Sequence, residues 1–243
     1  MLTQYLDEVE RLLNKVKSNE QTLTNAASIL ANTLEKEGII HIFGCGHSHI
    51  ISEEIFYRAG GLACVNPILI EDLMLFKGPV RSSMLERVNN FIEVNLEKYQ
   101  IQENDVFIVV STSGINPVPI DAALYAKRKG AQVIALTSLD FSKHVKSRHI
   151  DQKRLHEVVD LVIDNYSPTG DAVMTDDRLQ QPFGPTSTII NTAIINSVIV
   201  ETINILLMKN IKPPIFLSGN LQGSDIHNQD LINQYKDRVT HLL

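Results

Sequence analysis

Residues 105–138, DVFIVVSTSGINPVPIDAALYAKRKGAQVIALTS, constrain the fold more tightly than any other stretch. Residues 106–110 form a short, apolar, β-branched run, which predicts a buried strand. Residues 121–129 predict a helix: Ala122, Leu124, Tyr125 and Ala126 supply an inner side, and Lys127, Arg128 and Lys129 sit at its end, where cations suit the helix macrodipole. Gly130 follows as the natural stop. Residues 133–136 predict a second strand. Strand, helix and strand within about thirty residues make a βαβ unit, which requires parallel strands joined by a right-handed crossover.

The turn between the first strand and the helix carries the chemistry. Ser111, Thr112 and Ser113 place three hydroxyls in a row, Gly114 lets the backbone approach a ligand closely, and Asn116 precedes Pro117 at the helix start. Ligands of open α/β sheets bind at this edge, and a helix N-terminus with unpaired N–H groups favours an anion such as phosphate. Ordinary capping accounts for one hydroxyl here, not for three and a glycine.

A second unit of the same kind comes earlier. Residues 39–43, IIHIF, predict a strand, Gly44-Cys45-Gly46-His47-Ser48 a tight turn, and 49–58 a helix. The two glycines open a dinucleotide fingerprint, but His49 occupies the third glycine position and no acidic residue clearly ends a following strand, so a nicotinamide or flavin site is not expected. Before it, 2–36 predict helix with an apolar stripe from Leu2 through Val16, a stripe that must be buried on the sheet or on another subunit. After it, 71–99 predict a helical insertion broken at Gly78-Pro79, suited to a lid or an oligomer contact. The basic stretch 140–157 predicts a solvated helix. Residues 158–163 predict a strand, 164–185 a long functional loop, and 186–207 a helix apolar nearly all round. Asn191, Asn196, Glu201 and Asn204 interrupt that helix, so a buried helix shared with an oligomer interface is expected rather than a membrane span. Residues 215–217 predict a short extended piece and 225–243 a closing helix.

With 243 residues and a net charge of −6, the chain has the size for a sizeable core and shows no block of like charge that would suit nucleic acid or a membrane surface. A helix-turn-helix head is not expected either, because 1–37 hold too few helices and are not basic. Two cysteines, Cys45 and Cys64, make no disulfide framework, and a charged amphipathic helix stands where a signal peptide would, so a cytoplasmic protein is expected.

The two turns, Gly44-Cys45-Gly46-His47-Ser48 and Ser111-Thr112-Ser113-Gly114, together with the long apolar helix, resemble the SIS (sugar isomerase) domain family over 38–210. The chain as a whole looks most similar to a bacterial subfamily labelled phosphosugar or phosphoheptose isomerase. The resemblance implies an α/β three-layer sandwich with a five-stranded parallel sheet of flavodoxin-like topology. It implies a single SIS domain, with 1–37 as an N-terminal helical extension, 38–210 as core, and 211–243 as a C-terminal tail and helix. It further implies a homodimer or homotetramer and a sugar phosphate as ligand, with Ser111, Thr112, Ser113, Gly114 and Asn116 binding the phosphate and Gly46, His47 and Ser48 lining the sugar. No cofactor is expected. The phosphoheptose isomerases bind zinc through His and Glu on the first helix and Gln and His on the last, and this chain's last core helix has no His, so no metal is expected. Muramic acid phosphate etherases carry a Glu where Arg58 stands.

Aldose–ketose isomerisation requires a base that moves a proton between adjacent carbons and an acid that opens the ring. Glu53 and Glu54 leave the sugar-lining turn about 100° apart on the helix, so at most one of them faces the site. The alternative for Glu54 is a surface ion pair with Arg58, four residues on. His227, opening the C-terminal helix, is the candidate acid, set against an ordinary capping-region histidine; Glu201 is a second candidate carboxylate. A non-catalytic phosphosugar sensor, or a lyase or etherase acting on an amino-sugar phosphate, are the alternatives to an isomerase.

Overall fold

A computed structural model describes residues 1–243. Its elements in order are α1 (Leu2–Ser18), α2 (Glu20–Glu35), β1 (Ile40–Gly44), α3 (Ile50–Ile55), β2 (Val65–Ile68), α4 (Pro79–Leu85), α5 (Glu93–Leu96), β3 (Val106–Val110), α6 (Pro117–Arg128), β4 (Gln132–Thr137), α7 (Leu139–His144), β5 (Leu161–Asp164), α8 (Ser187–Met208) and α9 (Ser224–Tyr235). The strands form one parallel sheet in the order β2-β1-β3-β4-β5. Ile40 of β1 lies opposite Val65 of β2 and Val106 of β3, which sets the register of the three strands around the site. This is the expected five-stranded flavodoxin-like sandwich.

Alternation along β3 divides the core. Val106, Ile108 and Val110 point into a cluster with α1, α2, α3 and α8, whereas Phe107 and Val109 point into one with 70–101 and α6. Both faces of the strand are covered, which is why its sequence is a continuous apolar run rather than an alternating one. α3 therefore crosses on one face and α6 on the other. The strand order reverses between β1 and β3, so the loops at the carboxyl ends of these two strands leave toward opposite faces of the sheet, the usual place for a ligand in such folds.

α8 buries Ile190, Ile194, Ile195, Val198 and Ile199 against the sheet layer and packs most extensively on α2, while Ile189, Val200, Leu207 and Met208 stay exposed on its other side. Each such side chain fully buried contributes about 1.5–3 kcal/mol of transfer free energy. By length and composition it is the one helix apolar enough to cross a membrane, yet it is built into the core.

A polar knot closes the opposite edge. His41, fully buried on β1, has Nε2 3.1 Å from Asp105 Oδ2 and Nδ1 3.2 Å from Asn66 Nδ2. Arg238 donates to the same Asp105 oxygen at 2.8 Å, and Thr240 N–H donates to Asn66 Oδ1 at 3.1 Å, so residues 238–240 are tied to the sheet. Burial holds His41 below the usual histidine range. Burial alone would push Asp105 up, but His41 and the backbone N–H groups of Ile39 and Gln102 bring it below the usual carboxylate range. This knot also explains why α9 stops at Tyr235 instead of running on to 243: the following backbone serves Asn66.

Other boundaries differ from expectation for identifiable reasons. α6 begins at Pro117 rather than 121, because Pro117 and Pro119 both fall in the first turn, where a missing N–H costs nothing. The helix expected over 49–58 is a 3-10 turn (Gly46–His49) followed by α3, which ends when Phe56 turns extended. The insertion is helical only in pieces, and Gly78-Pro79 starts α4 instead of breaking a longer helix. The solvated helix expected over 140–157 is absent beyond α7. Residues 145–155 fold back onto the loop after β3, whose buried carbonyls they satisfy: Arg148 N–H donates to Ile115 O at 2.9 Å and Leu155 N–H to Gly114 O at 2.8 Å.

Candidate functional site

The loop after β3 leaves several backbone donors without a partner. Ser111 N–H is used by Leu136 O, and Gly114 N–H by Ser111 Oγ at 3.3 Å. The N–H groups of Thr112, Ser113, Ile115 and Asn116 make no hydrogen bond within the chain. Gly114 has φ +60°, and a Cβ there would lie 2.8 Å from Thr137 Oγ1. The left-handed conformation at Gly114 turns the backbone between the Ser111–Ser113 hydroxyls and the start of α6. The helix itself supplies less than the sequence suggests. Pro117 and Pro119 have no N–H, and Val118 N–H donates to Glu86 O at 3.2 Å. The donors for an anion are therefore loop amides and the hydroxyls of Thr112 and Ser113, with the α6 macrodipole behind them.

The turn after β1 faces this loop across the crevice. A Cβ on Gly44 would meet the Ser48 backbone at 2.6 Å, so the tight turn requires glycine there. His47 is exposed and Ser48 half-buried, both within reach of solvent at the carboxyl end of β1. His49 is buried; its Nδ1 faces Gly46 O, and its Nε2 lies 3.4 Å from Glu53.

Two residues absent from the sequence-based site are brought to it. Arg148 Nη1 donates to Asn116 Oδ1 at 2.8 Å, which sets a guanidinium at the 111–116 loop. It is held there by His149, buried and 3.0 Å from Asp121 Oδ1; Asp121 Oδ2 also accepts from Asn90 N–H at 2.8 Å. Glu86, just past α4, is the second. Burial pushes its carboxyl above the usual range, opposed by the Asn116 amide, Arg87 and Arg148. Its charge also reaches Cys45, whose thiol burial already holds well above the usual range. The Glu86 backbone is tied to the start of α6 by the Val118 N–H. The one sequence signal was an aspartate inside an otherwise apolar stretch of α6, Asp121, which needed a buried partner.

A cleft of about 620 Å³ opens beside the carboxyl end of β2, lined by Glu53, Ile70, Glu71, Met74, Lys98 and His241 among others. Burial, with Lys98 adding, lowers the His241 pKa. Of the α3 carboxylates, Glu53 faces this cleft. Glu54 forms the ion pair with Arg58 and accepts from Asn196 Nδ2 at 3.1 Å, toward α8. His227 donates from Nε2 to Ile215 O at 2.8 Å, beside the Leu62–Ile215 bridge that precedes β2. Within one chain it therefore lies at the opposite edge of the sheet from both turns. Glu201, half-buried on α8, meets only Asn204. No group of three or more His, Cys, Asp or Glu side chains is arranged to hold a metal ion.

Comparison with known proteins agrees with this architecture. The UPF0309 protein of Geobacillus thermodenitrificans is 50% identical over 244 residues, covering 100% of this chain and 98% of that protein. That of Listeria monocytogenes serotype 4b is 46% identical over 240 residues, covering 98% and 97%. Among solved structures, the phosphoheptose isomerase of Francisella tularensis superposes with a TM-score of 0.55 at 14% identity, covering 84% of this chain and 96% of that one. The phosphoheptose isomerase of Neisseria gonorrhoeae superposes with a TM-score of 0.54 at 15% identity, covering 84% and 97%. The Vibrio vulnificus NanR protein complexed with ManNAc-6P gives 0.50 at 13% identity, covering 96% and 68%. The SIS domain model matches residues 4–138, and the chain belongs to the SIS domain family.

Proposed function

We propose that the chain binds a sugar phosphate through the 111–116 loop and isomerises it between aldose and ketose forms by carboxylate-mediated proton transfer. The observation that carries the reading is the loop itself: four unpaired N–H groups, two hydroxyls and the Arg148-anchored Asn116 lie together at the carboxyl end of β3, beside the sheet's switch point. From β3 to β2 is two strand spacings, about 10 Å, so a phosphate on this loop would direct a sugar across the Gly46-His47-Ser48 turn toward the cleft that Glu53 lines. An amino sugar or a heptose is the substrate favoured, in line with the phosphoheptose isomerases and the ManNAc-6P complex among the similar folds. The exposed apolar side of α8 supports a homodimer or homotetramer, and a cytoplasmic setting goes with this reading.

The test is NMR of the protein in D₂O with a panel of hexose, aminohexose and heptose phosphates. Deuterium entering the carbon beside the carbonyl of one sugar is the expected result. Phosphorus line broadening without deuterium would instead leave a phosphosugar sensor or an eliminating enzyme. Neither signal with any sugar would refute the site.

A further inference from the structure

The backbone of 147–155 is fixed on both sides of Arg148. Arg148 N–H donates to Ile115 O at 2.9 Å and Leu155 N–H to Gly114 O at 2.8 Å, so the segment lies along the loop after β3. Ser147 Oγ accepts from His149 N–H at 3.1 Å, and Gln152 N–H donates to His149 O at 2.9 Å. The His149 ring is buried against Asp121 of α6 at 3.0 Å, and Ile150 N–H donates to Asn89 Oδ1 at 2.9 Å.

The side chain held in this way keeps its charge unneutralised. Of the nine arginines, seven have a carboxylate oxygen within 4.0 Å, which leaves Arg87 and Arg148 as the guanidinium groups open to an outside anion. Of these two, Arg148 is the one bonded to the 111–116 loop. It is exposed, and its one side-chain bond runs from Nη1 to Asn116 Oδ1 at 2.8 Å, so Nε and Nη2 keep hydrogens to donate. Asn116 carries one of the four unpaired N–H groups, so the guanidinium and the loop amides meet at the same residue. Residues 111–116 themselves bear no charge, and a net charge of −6 repels an anion at long range. A planar guanidinium fork matches the oxygens of a phosphate and supplies the missing positive charge locally.

We infer that Arg148 pairs directly with the phosphate of the bound sugar, and that its charge makes the site select phosphorylated over unphosphorylated sugars; this rests on the sugar-phosphate reading of the 111–116 loop. The loop amides and hydroxyls are neutral donors that fix where the phosphate sits. Arg148 adds the charge that makes a dianion preferred there. The buried His149–Asp121 pair and the bonds to Ile115 and Gly114 set the backbone from which the guanidinium reaches, so little freedom is lost when the ligand arrives.

The experiment measures Kd by calorimetry for inorganic phosphate and for hexose, aminohexose and heptose phosphates, each at low and at physiological salt. It compares wild type, Arg148→Gln, Arg148→Lys and Lys36→Met, with urea unfolding to verify folding. Arg148→Gln keeps an N–H donor for Asn116 but loses the charge. It is expected to raise Kd about tenfold or more and to flatten the dependence of Kd on salt. Arg148→Lys keeps the charge without the fork, and is expected to recover part of the affinity and the wild-type salt slope. Lys36→Met removes one exposed cation before β1, at the other end of the sheet, and is expected to leave Kd within a fewfold of wild type. Wild type alone gives a second readout. Pairing with Arg148 makes Kd rise with salt, whereas an unpaired anion on a negatively charged chain would bind more tightly as salt screens the repulsion. A Kd that falls with salt in wild type overturns the inference. So does an Arg148→Gln protein whose salt slope matches wild type, since Arg148 then acts only by holding Asn116. Unchanged affinity in Arg148→Gln while Ser113→Ala weakens binding also overturns it and leaves the loop reading standing. Folded wild type that binds neither inorganic phosphate nor any phosphosugar overturns both.

Discussion

Replacing Gly114 by Ala tests the geometry of the phosphate loop in two separable parts. The first is conformational: at φ +60° an L-residue pays about 1–2 kcal/mol. The second is steric. The new Cβ would sit 2.8 Å from Thr137 Oγ1, 3.3 Å from Ser142 Oγ and 3.4 Å from Leu155 Cβ. None of these atoms is the far end of a flexible chain, so overpacking adds about 1–3 kcal/mol. The expected loss of stability is therefore about 2–5 kcal/mol, read by urea unfolding. Thr137→Ala removes the closest of the three contacts, together with the bond from Thr137 Oγ1 to Thr112 O at 3.3 Å, but leaves the φ at Gly114 unchanged. A double-mutant cycle of Gly114→Ala and Thr137→Ala should then show a favourable coupling of about 1–3 kcal/mol, the size of the steric part alone. A loss below about 0.5 kcal/mol for Gly114→Ala, or a coupling indistinguishable from zero, would refute the argument that the loop is curled against Thr137.

Other perturbations probe separate links. Ser113→Ala should weaken phosphosugar binding by about 1.5–3 kcal/mol, tenfold or more in Kd by calorimetry, because the lost hydroxyl would donate to a charged group. His149→Ala leaves Asp121 buried without its main side-chain partner. It should cost at least about 1–3 kcal/mol in unfolding and raise the Kd for phosphosugar as Arg148 loses its anchor; unchanged affinity would detach Arg148 from the site. Glu86→Gln should stabilise the protein at neutral and higher pH. A carboxyl raised in the fold costs stability above its folded pKa and nothing below its unfolded one, so the gain should vanish in acid. His41 is lowered and Asp105 is lowered, so both make acid unfavourable: stability should fall as pH drops below the unfolded histidine value of about 6.5, and again through the carboxylate range, where the unfolded Asp titrates at about 3.9. Thermal melts of His41→Asn should be flatter between pH 7 and 5.

The fold was legible where the chain's periodicity was simple. β3 and β1 are apolar runs bounded by turn residues, and α8 is too long and too apolar to lie anywhere but the core. The Ser111–Asn116 loop was legible because hydroxyls, glycine and proline at one strand end have few other uses. What resisted reading depends on contacts between distant residues. Basic residues in 140–157 looked solvated, since no local pattern says that Arg148 and His149 fold back on Asn116 and Asp121. Glu86 sits among ordinary polar residues of the insertion, and only the anchoring of its carbonyl on Val118 singles it out. Glu53 and Glu54 were one residue apart in sequence and equivalent by pattern; the partner on α8, Asn196, separates them. His227 looked like an acid because it opens a helix behind a turn, but the bond to Ile215 gives it a local structural partner.

The knot of His41, Asp105, Asn66 and Arg238 has a consequence for the order in which the protein is made. Translation delivers all five strands long before Arg238 and Thr240 leave the ribosome. In the interval Asp105 has His41 and two backbone N–H groups but no cation, and Asn66 lacks both Arg238 O and Thr240 N–H. The nascent sheet is thus completed by a clasp that arrives last. A chain lacking those residues would carry a desolvated, under-compensated aspartate at the N-terminal edge of the sheet.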